Sequence, residues 1–381
     1  MSHYRFELAT LEDDWDLRQV LEATPMEGAI SVTFHREPSW FAGAVVDGRF
    51  RQVLACRDLQ TGRIIGFGCR SVRDVYVNGQ PAAVGYLSSL RVLPEYRNLG
   101  LVARGYATFR KLHGDGRVPF YLTTIANGNR TALKILTSGR AGLPTYHPAG
   151  AYHTIAVPIP RRKKRQTDLK RDQGNKTTNI RPSSKEDLPQ LLDFWATVGS
   201  RRDFFPCLEP NDFLSPNGMM RGLCFDQVLL AEQDGRLVGT MAAWDQHGYR
   251  QSVVSAYHGG LRWFRWLYNI GAWSMGRPAL PRPGDAFHYC MGALPVVAED
   301  EESVFAALLE GLLDRLAGGP CSHLLIGLHE ADPLLGVLKR YQVARYLTHL
   351  FLVSWPVEDP SIEEARLSLN GRVPYLEAGS L

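Results

Sequence analysis

The pattern of apolar and polar positions divides the chain into two series of short elements. In the first series a long β-type run covers 82–93, an apolar stripe at helical spacing follows at 101–112, and another strand is predicted at 120–124. A helix from Asn129 and a closing strand at 152–157 complete it. Strands in a run followed by strand–helix–strand–helix predict a mixed sheet. We therefore expect an α/β fold of the α+β, mixed-sheet kind.

The second series repeats the first. Phe6–Asp13 parallels Ile180–Asp187, because each is a short strand followed by a hydroxyl residue and, three positions later, an aspartate. This pattern is typical of a helix N-cap with a carboxylate in the first turn. Gly62–Gly66 parallels Gly235–Gly239, and in both segments a glycine-containing turn joins two β-type runs into a hairpin. The offsets of 174 and 173 residues predict one fold used twice.

A third match between the two series has a different offset. Leu93–Pro94 parallels Leu294–Pro295 at 201 residues, so the second series carries roughly 28 additional residues before this strand. They fall in an aromatic insertion at 247–283. A helical element packed on the second domain, or a lid, is favoured for the insertion because its aromatic residues recur on all sides. A membrane-surface helix is the alternative.

Length and charge fit two domains joined by a linker. A chain of 381 residues is too long for one ordinary domain. The formal net charge is +4, and residues 161–176 alone carry +6, so the rest of the chain sums to about −2. Neither half is therefore basic enough to indicate a nucleic-acid partner. The predicted division is a first domain at 1–158, a solvated basic linker at 159–177, a second domain at 178–357 and a C-terminal tail at 358–381.

The cysteines and the apolar runs exclude several classes of protein. No two of the six cysteines stand at C-x-x-C spacing, so neither a disulfide scaffold nor a zinc site is indicated, and we expect buried free thiols. The N-terminus has no apolar signal core, and no uncharged apolar run reaches the ~18 residues that a membrane span needs. The sequence predicts a cytoplasmic protein without a bound metal or a membrane span.

The segment with the clearest chemistry is residues 90–102, LRVLPEYRNLGLV. A strand ends at Pro94 and a helix begins near Gly100, with Arg97 between them. The free amide groups and the positive dipole end of a helix start favour a bound phosphate. Gly100 lets the backbone approach a pyrophosphate, and Arg97 adds charge. The alternative is an ordinary strand–helix turn with a surface arginine.

This segment resembles the hallmark of the GNAT superfamily of acetyl-coenzyme A-dependent N-acyltransferases, Arg/Gln-x-x-Gly-x-Gly/Ala. Residues 97–102 match it except at Val102, where the family has a small residue. Residues 90–96 are similar to the family's strand, and Asn129–Ala132 to the Asn-x-x-Ala start of its next helix. The resemblance covers about residues 4–158 and implies two GNAT-like domains in tandem, the second of them degenerate.

The resemblance implies acetyl-coenzyme A, or another acyl-coenzyme A, as co-substrate. The backbone at the end of the strand is expected to pair with pantetheine, and the loop amides are expected to hold the pyrophosphate. The implied coenzyme-binding residues are Leu90, Arg91, Val92, Arg97, Asn98, Leu99, Gly100, Leu101, Val102 and Asn129. In the second domain four consecutive carboxylates at 299–302 stand in the matching place, and their charge would repel phosphate. We expect no coenzyme site there.

The reaction also needs a base for the ammonium proton and an acid for the departing thiolate. The family's usual acid, a tyrosine seven residues after the helix asparagine, is replaced by Leu136. Four later residues offer hydroxyl or imidazole groups instead, each with a packing role as its alternative: Tyr146, His147, Tyr152 and His153. The strand position that often holds a glutamate base in the family has Tyr86, and Ser88 lies on the same face.

We therefore expect an N-acyltransferase that moves an acetyl or other acyl group from coenzyme A to a primary amine by direct attack in a ternary complex. The acceptor is a small-molecule or protein amine that the sequence does not specify, and an oligomer is compatible with the sequence. A non-catalytic acyl-coenzyme A sensor is one alternative, favoured by Leu136 and Val102. An aminoacyl-tRNA-dependent peptide-adding ligase, which also pairs two GNAT-like domains, is another; similar ligases lack a working coenzyme A loop.

Overall fold

The computed structural model describes residues 3–140, 142–161, 178–274, 278–341, 344–355, 360–369 and 371–381. Most of the predicted basic linker lies outside the described residues. The strands are β1 Tyr4–Leu8, β2 Ile30–His35, β3 Phe50–Asp58, β4 Ile64–Val77, β5 Gln80–Val92, β6 Tyr121–Ala126, β7 Thr145–Pro158, β8 Asn179–Pro182, β9 Val228–Gln233, β10 Arg236–Trp244, β11 Gln251–Tyr257, β12 Tyr289–Val297, β13 His323–His329 and β14 Ala344–Ser354. The helices are α1 Asp14–Glu22, α2 Trp40–Gly43, α3 Leu101–His113, α4 Arg130–Leu136, α5 Leu188–Thr197, α6 Pro210–Leu214, α7 Gly260–Ser274, α8 Glu302–Leu316, α9 Leu335–Lys339 and α10 Pro360–Ser368. Within these residues, no helix has both the length and the apolar character needed to cross a bilayer.

One twelve-stranded sheet runs through both halves of the chain, in the order β1-β3-β4-β5-β6-β14-β7-β13-β12-β10-β9-β8. The order inward from one edge, β1, β3, β4, β5 and β6, corresponds to the order inward from the other edge, β8, β9, β10, β12 and β13. The sheet contains both parallel and antiparallel pairs, such as β5 with β6 and β4 with β5. The predicted mixed α/β sheet with a repeated fold is therefore confirmed.

The last strand of each half lies on the other half's side of the sheet. β14 pairs antiparallel with β6, with Leu352 opposite Leu122, and β7 pairs antiparallel with β13, with Ile155 opposite Ile326. At the centre of the sheet β7 and β14 also pair with each other. Three strand pairings, β6 with β14, β14 with β7 and β7 with β13, thus join the two halves, and their backbones share one hydrogen-bonded sheet.

Both predicted helix starts are present. The Thr10 amide donates to the Asp13 carboxylate at 2.8 Å, and the Ser184 amide donates to the Asp187 carboxylate at 2.8 Å, so each half has a capping box before its first helix. Both predicted hairpins, β3–β4 and β9–β10, are also present. Each hairpin turn contains a glycine with φ near +75°, namely Gly62 and Gly235. Glycine is favoured there because a Cβ makes left-handed backbone unfavourable.

The third sequence match is wrong in register. β5 bulges against β4 after Ser88, and β12 bulges against β10 after Ala293. The next residues, Ser89 with φ 54° and Leu294 with φ 49°, adopt the same left-handed conformation. The structural offset between these strands is therefore 205 residues, and Leu294 corresponds to Ser89, not to Leu93. The Leu-Pro dipeptide lies inside β12, whereas in the first half it follows the end of β5.

The insertion forms a strand and a helix, and the strand joins the first half. β11 lies antiparallel to β2 in a separate two-stranded sheet, with Val254 opposite Val32. α7 follows it directly along the chain. The predicted helical element is thus confirmed. Four of its aromatic residues are exposed on α7, namely Trp263, Phe264, Trp266 and Tyr268.

Two of the six cysteines form a disulfide, which corrects the prediction of free thiols. Cys290, in β12, is bonded to Cys321, just before β13, and their Cα atoms are 6.1 Å apart. The parallel pairing of β12 with β13 brings these distant parts of the sequence side by side, so no short cysteine spacing marks the pair. The other four are free: Cys56 and Cys69 are buried, Cys207 is half-buried and Cys224 is exposed.

Candidate functional site

A gap opens between β5 and β6. The ladder that joins them contains the pairs Gly85–Tyr121 and Tyr86–Leu122, whereas β5 continues to Val92. The strands approach closely at the paired end, where a Cβ on Gly85 would lie 2.1 Å from the Tyr121 ring. Beyond that point the strands diverge. Diverging strands offer backbone groups that can pair with an extended ligand as with another strand.

A bulge lies where the gap begins. Cys69 of β4 faces Ser88 and Phe67 faces Arg91, so Ser89 and Leu90 together occupy the space opposite a single residue. The extra residue bends the strand and re-aims its backbone groups.

The loop between β5 and α3 has the shape of an anion site. Residues 97–100 are all exposed, and Asn98 and Gly100 have φ of 69° and 70°. Left-handed residues next to a helix start turn successive amide groups toward a common point, where they favour an anion. A Cβ on Gly100 would meet no atom within 4 Å, so the side facing outward from this residue is open. The Arg97 Nε donates to the Val92 carbonyl at 3.4 Å, which leaves its side chain beside the loop.

Asn129 has a defined structural role. Its side-chain oxygen accepts a hydrogen bond from the Ala132 amide at 3.0 Å and caps α4. Leu136, at the end of the same helix, is buried in the core beneath α3. The predicted contact between Asn129 and coenzyme stays a prediction.

The candidate catalytic residues do not form one cluster, because Tyr86 and Tyr146 lie on opposite faces of the sheet. Tyr86 is buried on one face of the sheet, with Phe204 and Leu376 in the same cluster. Tyr146 lies on the opposite face, against α3, and its hydroxyl is 2.6 Å from that of Tyr106. The Tyr86 hydroxyl is 2.8 Å from the Thr124 hydroxyl.

Burial determines the protonation of these candidates. It raises the pKa of Tyr86 and, much more strongly, that of Tyr146, so both phenols are neutral at physiological pH and carry a proton that they can donate. Burial lowers the pKa of His147, and the nearby Arg366 guanidinium lowers it further. Ser88 is half-buried on β5.

The two later candidates, Tyr152 and His153, serve the central pairing of the halves. The Tyr152 hydroxyl donates to the Gly327 carbonyl at 2.9 Å and to the Leu376 carbonyl at 2.5 Å. The Nε2 of His153 is 3.2 Å from Arg345 of β14, and burial lowers the pKa of this imidazole. Both residues are thus engaged in contacts that hold β7 in place.

A small cavity lies between the halves, next to Tyr86. It encloses about 30 Å³, room for about two water molecules. Its walls come from β4, β5 and β6, from the segment before β9, and from the C-terminal segment. Lining residues that the sequence did not predict include Arg73, Phe204, Met219, Met220, Leu376, Glu377 and Ser380.

Buried charges surround this cavity. The Arg73 Nε donates to the Asp47 carbonyl at 2.7 Å, and its Nη2 donates to the Ser380 carbonyl. Glu377 accepts hydrogen bonds from the Tyr375 hydroxyl at 2.5 Å and from the Gly379 amide at 3.2 Å. Burial lowers the pKa of Arg73 and raises the pKa of Glu377. The sequence signal for this cluster is a single carboxylate in the otherwise uncharged run 373–381.

The second half repeats the gap but fills it. β12 pairs with β13 from Tyr289 to Gly292 and then continues to Val297. The carboxylate of Glu377 lies beside it, where it accepts a hydrogen bond from the Leu294 amide at 3.0 Å. Leu294 corresponds to Ser89, so a carboxyl oxygen of Glu377 lies at the bulge of the second half.

The loop of the second half also differs. Residues 298–301, four in all, join β12 to α8, whereas residues 93–100, eight in all, join β5 to α3. Glu299 forms an ion pair with Arg201 at 2.7 Å, and Asp300 forms one with Arg202 at 2.5 Å. A short acidic loop of this kind offers a phosphate neither space nor positive charge.

Comparison with known proteins shows the fold. No protein-family model matches the sequence, and no curated protein matches it. Among solved structures, Saccharomyces cerevisiae N-myristoyltransferase with bound myristoyl-CoA is similar over 94% of this chain and 80% of its own, with a TM-score of 0.60 and 11% identity. A GCN5-related glucosamine N-acetyltransferase region of a fungal GH3 β-N-acetylglucosaminidase is similar over 93% of this chain and 38% of its own, with a TM-score of 0.57 and 11% identity.

These likenesses confirm the predicted fold. The chain has a GNAT-type acyltransferase fold, in the two-domain arrangement of N-myristoyltransferase.

Proposed function

We propose that this chain, which has the two-domain GNAT fold, is an N-acyltransferase that moves an acyl group from coenzyme A to a primary amine. The observation that carries the proposal is the divergence of β5 from β6 directly before the Arg97–Gly100 loop. Pantetheine would extend along the free edge of Leu90–Val92, and the amides from Asn98 to Val102 would hold the pyrophosphate. Arg97 would add charge from beside the loop.

We assign the thioester carbonyl to the bulge of β5. In the second half the corresponding bulge amide, that of Leu294, already binds a carboxylate oxygen of Glu377. By the internal symmetry of the fold, we propose that the Ser89 amide donates to the carbonyl oxygen. Such a donor stabilises the negative charge that develops on this oxygen when the amine nitrogen attacks. Collapse of the intermediate breaks the carbon–sulfur bond, forms the amide and releases coenzyme A as the thiol.

The two tyrosines lie on opposite faces of the sheet, and we propose separate roles for them. Tyr86 faces the cavity between the halves and would orient the amine or a water that takes its proton. Tyr146, on the α3 side, would donate to the departing sulfur. Burial keeps both phenols protonated, as a donor role requires. His147 and Ser88 remain candidates for the relay of the amine proton.

The acyl group that suits this site is short. A second cavity, beneath α3 and lined by Leu90, Val92 and Val102 among others, also encloses about 30 Å³. That is room for about two water molecules, which suits an acetyl group and not a long alkyl chain. We therefore propose acetyl-coenzyme A as the preferred donor.

The proposed reaction is tested by thiol release from acetyl-CoA in the presence of a panel of primary amines, with the acylated product identified by mass. We expect amine-dependent release with at least one class of amine, with turnover on the order of 10 s⁻¹ for a good acceptor. Myristoyl-CoA is expected to react more slowly. Tyr86→Phe should lower kcat about tenfold or more without weakening coenzyme binding, because it removes only the hydroxyl.

The same experiment separates the alternatives. Tight binding of acetyl-CoA with no release across small amines, peptides and proteins would support the non-catalytic sensor, which the buried Leu136 in place of the family's tyrosine favours. Absence of binding would contradict both proposals.

A further inference from the structure

Helix α7 is oriented with polar residues inward. Arg265 donates to the carbonyls of Leu280 at 3.2 Å and Pro281 at 3.1 Å, and the Asn269 side chain donates to the Leu280 carbonyl at 3.1 Å. These two polar residues, one helical turn apart, attach α7 to the following segment. A surface helix of a globular protein normally turns its apolar side inward. The reversed orientation of α7 therefore needs an explanation.

The outward side of α7 carries an apolar patch. Trp263, Phe264, Trp266, Leu267 and Ile270 are between 52% and 69% exposed. Trp263, Trp266, Leu267 and Ile270 follow the i, i+3, i+4, i+7 spacing of one helix face, and Phe264 lies beside them. Contiguous exposed aromatic residues at this density mark a site of interaction with another surface. We call these five residues the aromatic face.

Arginines outnumber carboxylates in the segment that carries the aromatic face. The sequence from 251 to 284 contains four arginines and no aspartate or glutamate. The Arg262 guanidinium lies 5.4 Å from the centre of the Trp263 ring. Arg282 is exposed in the segment that follows α7, where its backbone amide donates to the Asp285 carboxylate at 3.1 Å. Within the described residues, none of Arg262, Arg265 and Arg282 forms an ion pair with a carboxylate. Arg265 is turned inward to the Leu280 and Pro281 carbonyls, so the arginines available to an external partner are the exposed Arg262 and Arg282.

We propose that α7 binds the surface of a lipid bilayer that contains anionic lipids. Tryptophan and phenylalanine settle at the boundary between headgroups and acyl chains, and arginines on the same helix attract anionic headgroups. The 15-residue helix is about 22 Å long, too short to span a bilayer and suited to lying in its surface. A second copy of the chain fits less well, because pairing two such helices would bring their unpaired arginines together.

The two-stranded sheet connects α7 to the strand of the proposed site. α7 follows β11, which pairs with β2, and Phe34 of β2 lies 6.0 Å from the guanidinium of Arg91 in β5. The membrane inference stands on α7 alone and does not depend on the acyltransferase proposal.

The test is sedimentation of the full-length protein with vesicles, one set of phosphatidylcholine alone and the other of phosphatidylcholine with phosphatidylserine. We expect binding to the mixed vesicles, about tenfold weaker binding to phosphatidylcholine, and loss of the difference at high salt. The double variant Trp263→Ser/Trp266→Ser should weaken binding about tenfold or more. Trp15→Ser, at a tryptophan of α1 that is 61% exposed, is the matched control and should bind as the wild type does.

Charge is tested separately from aromatic insertion. Arg262→Glu/Arg282→Glu should abolish the preference for phosphatidylserine, whereas Arg236→Glu, at an exposed arginine in the β9–β10 turn, should not. Equal binding by all the variants, or no binding of the wild type to mixed vesicles, would overturn the proposal. So would a dimer in solution that Trp263→Ser/Trp266→Ser converts to a monomer, since the occupant of the aromatic face would then be a second copy.

Discussion

Gly100→Asp is expected to abolish coenzyme A binding while the protein still folds. Gly100 has φ 70°, lies directly before α3 and has open space where its Cβ would be. The new carboxylate would therefore enter the anion site without striking the protein. At about 4 Å from a phosphate it would cost about 4 kcal/mol at the effective dielectric of a protein surface. That corresponds to roughly a thousandfold rise in the dissociation constant, measured by calorimetry with acetyl-CoA.

The matched control is Gly235→Asp. Gly235 has φ 75° and equally open space, but it lies in the β9–β10 turn of the second half. Both variants place an aspartate in left-handed backbone, so they should lose similar stability, about 1–2 kcal/mol. Gly235→Asp should bind acetyl-CoA normally. Arg97→Glu is expected to weaken binding without this backbone effect. If Gly100→Asp and Gly235→Asp bound with the same affinity, the loop would not be the pyrophosphate site.

The segment 1–158 is expected not to fold on its own. Without β14 the edge of β6 loses its partner, and β7 loses β13 as well. Leu350, Phe351, Leu352 and Val353 of β14 are all buried in the complete chain. Their burial contributes on the order of 8 kcal/mol, comparable with the whole stability of a domain. Light scattering and circular dichroism of the isolated segment should show an aggregated or unfolded chain.

Co-expression of 1–158 with 178–381 supplies the control. The two segments should associate and purify together, because β7 and β14 pair with each other and each completes the other half's sheet. A soluble, folded monomer of 1–158 with a cooperative thermal transition would show that the exchanged strands are dispensable.

Local features of the fold could be predicted from the sequence. The capping boxes at Thr10 and Ser184, the glycine turns of both hairpins and the left-handed loop at Gly100 each depend on a few adjacent residues with restricted backbone preferences. Such local patterns can be recognised in the sequence without knowledge of the tertiary structure. The resemblance to GNAT enzymes rested on the same loop, and the fold confirms it.

Features that depend on long-range pairing could not be predicted. β7 and β14 are both apolar strands, and their sequences do not indicate which strands of the sheet each one pairs with. The disulfide between Cys290 and Cys321 likewise depends on two parallel strands becoming neighbours. The register of β12 was wrong because a Leu-Pro dipeptide is too short to fix a strand against its neighbour, whereas the bulge at Leu294 does so.

The candidate site divides in the same way. The loop and the end of β5 are continuous in sequence and were predictable, whereas the cavity beside Tyr86 is assembled from both halves. Glu377 is distant in sequence from the strand it contacts, so no motif links it to Leu294. The role of the C-terminal segment became visible only from its hydrogen bonds.

A crystal structure of the protein with acetyl-CoA would test the proposed coenzyme site directly. We expect one coenzyme per chain, with pantetheine between β5 and β6, the pyrophosphate on the amides from Asn98 to Val102, and the thioester carbonyl at the bulge of Ser89. Coenzyme bound along β12 in the second half, or displaced from the β5–β6 gap altogether, would contradict it.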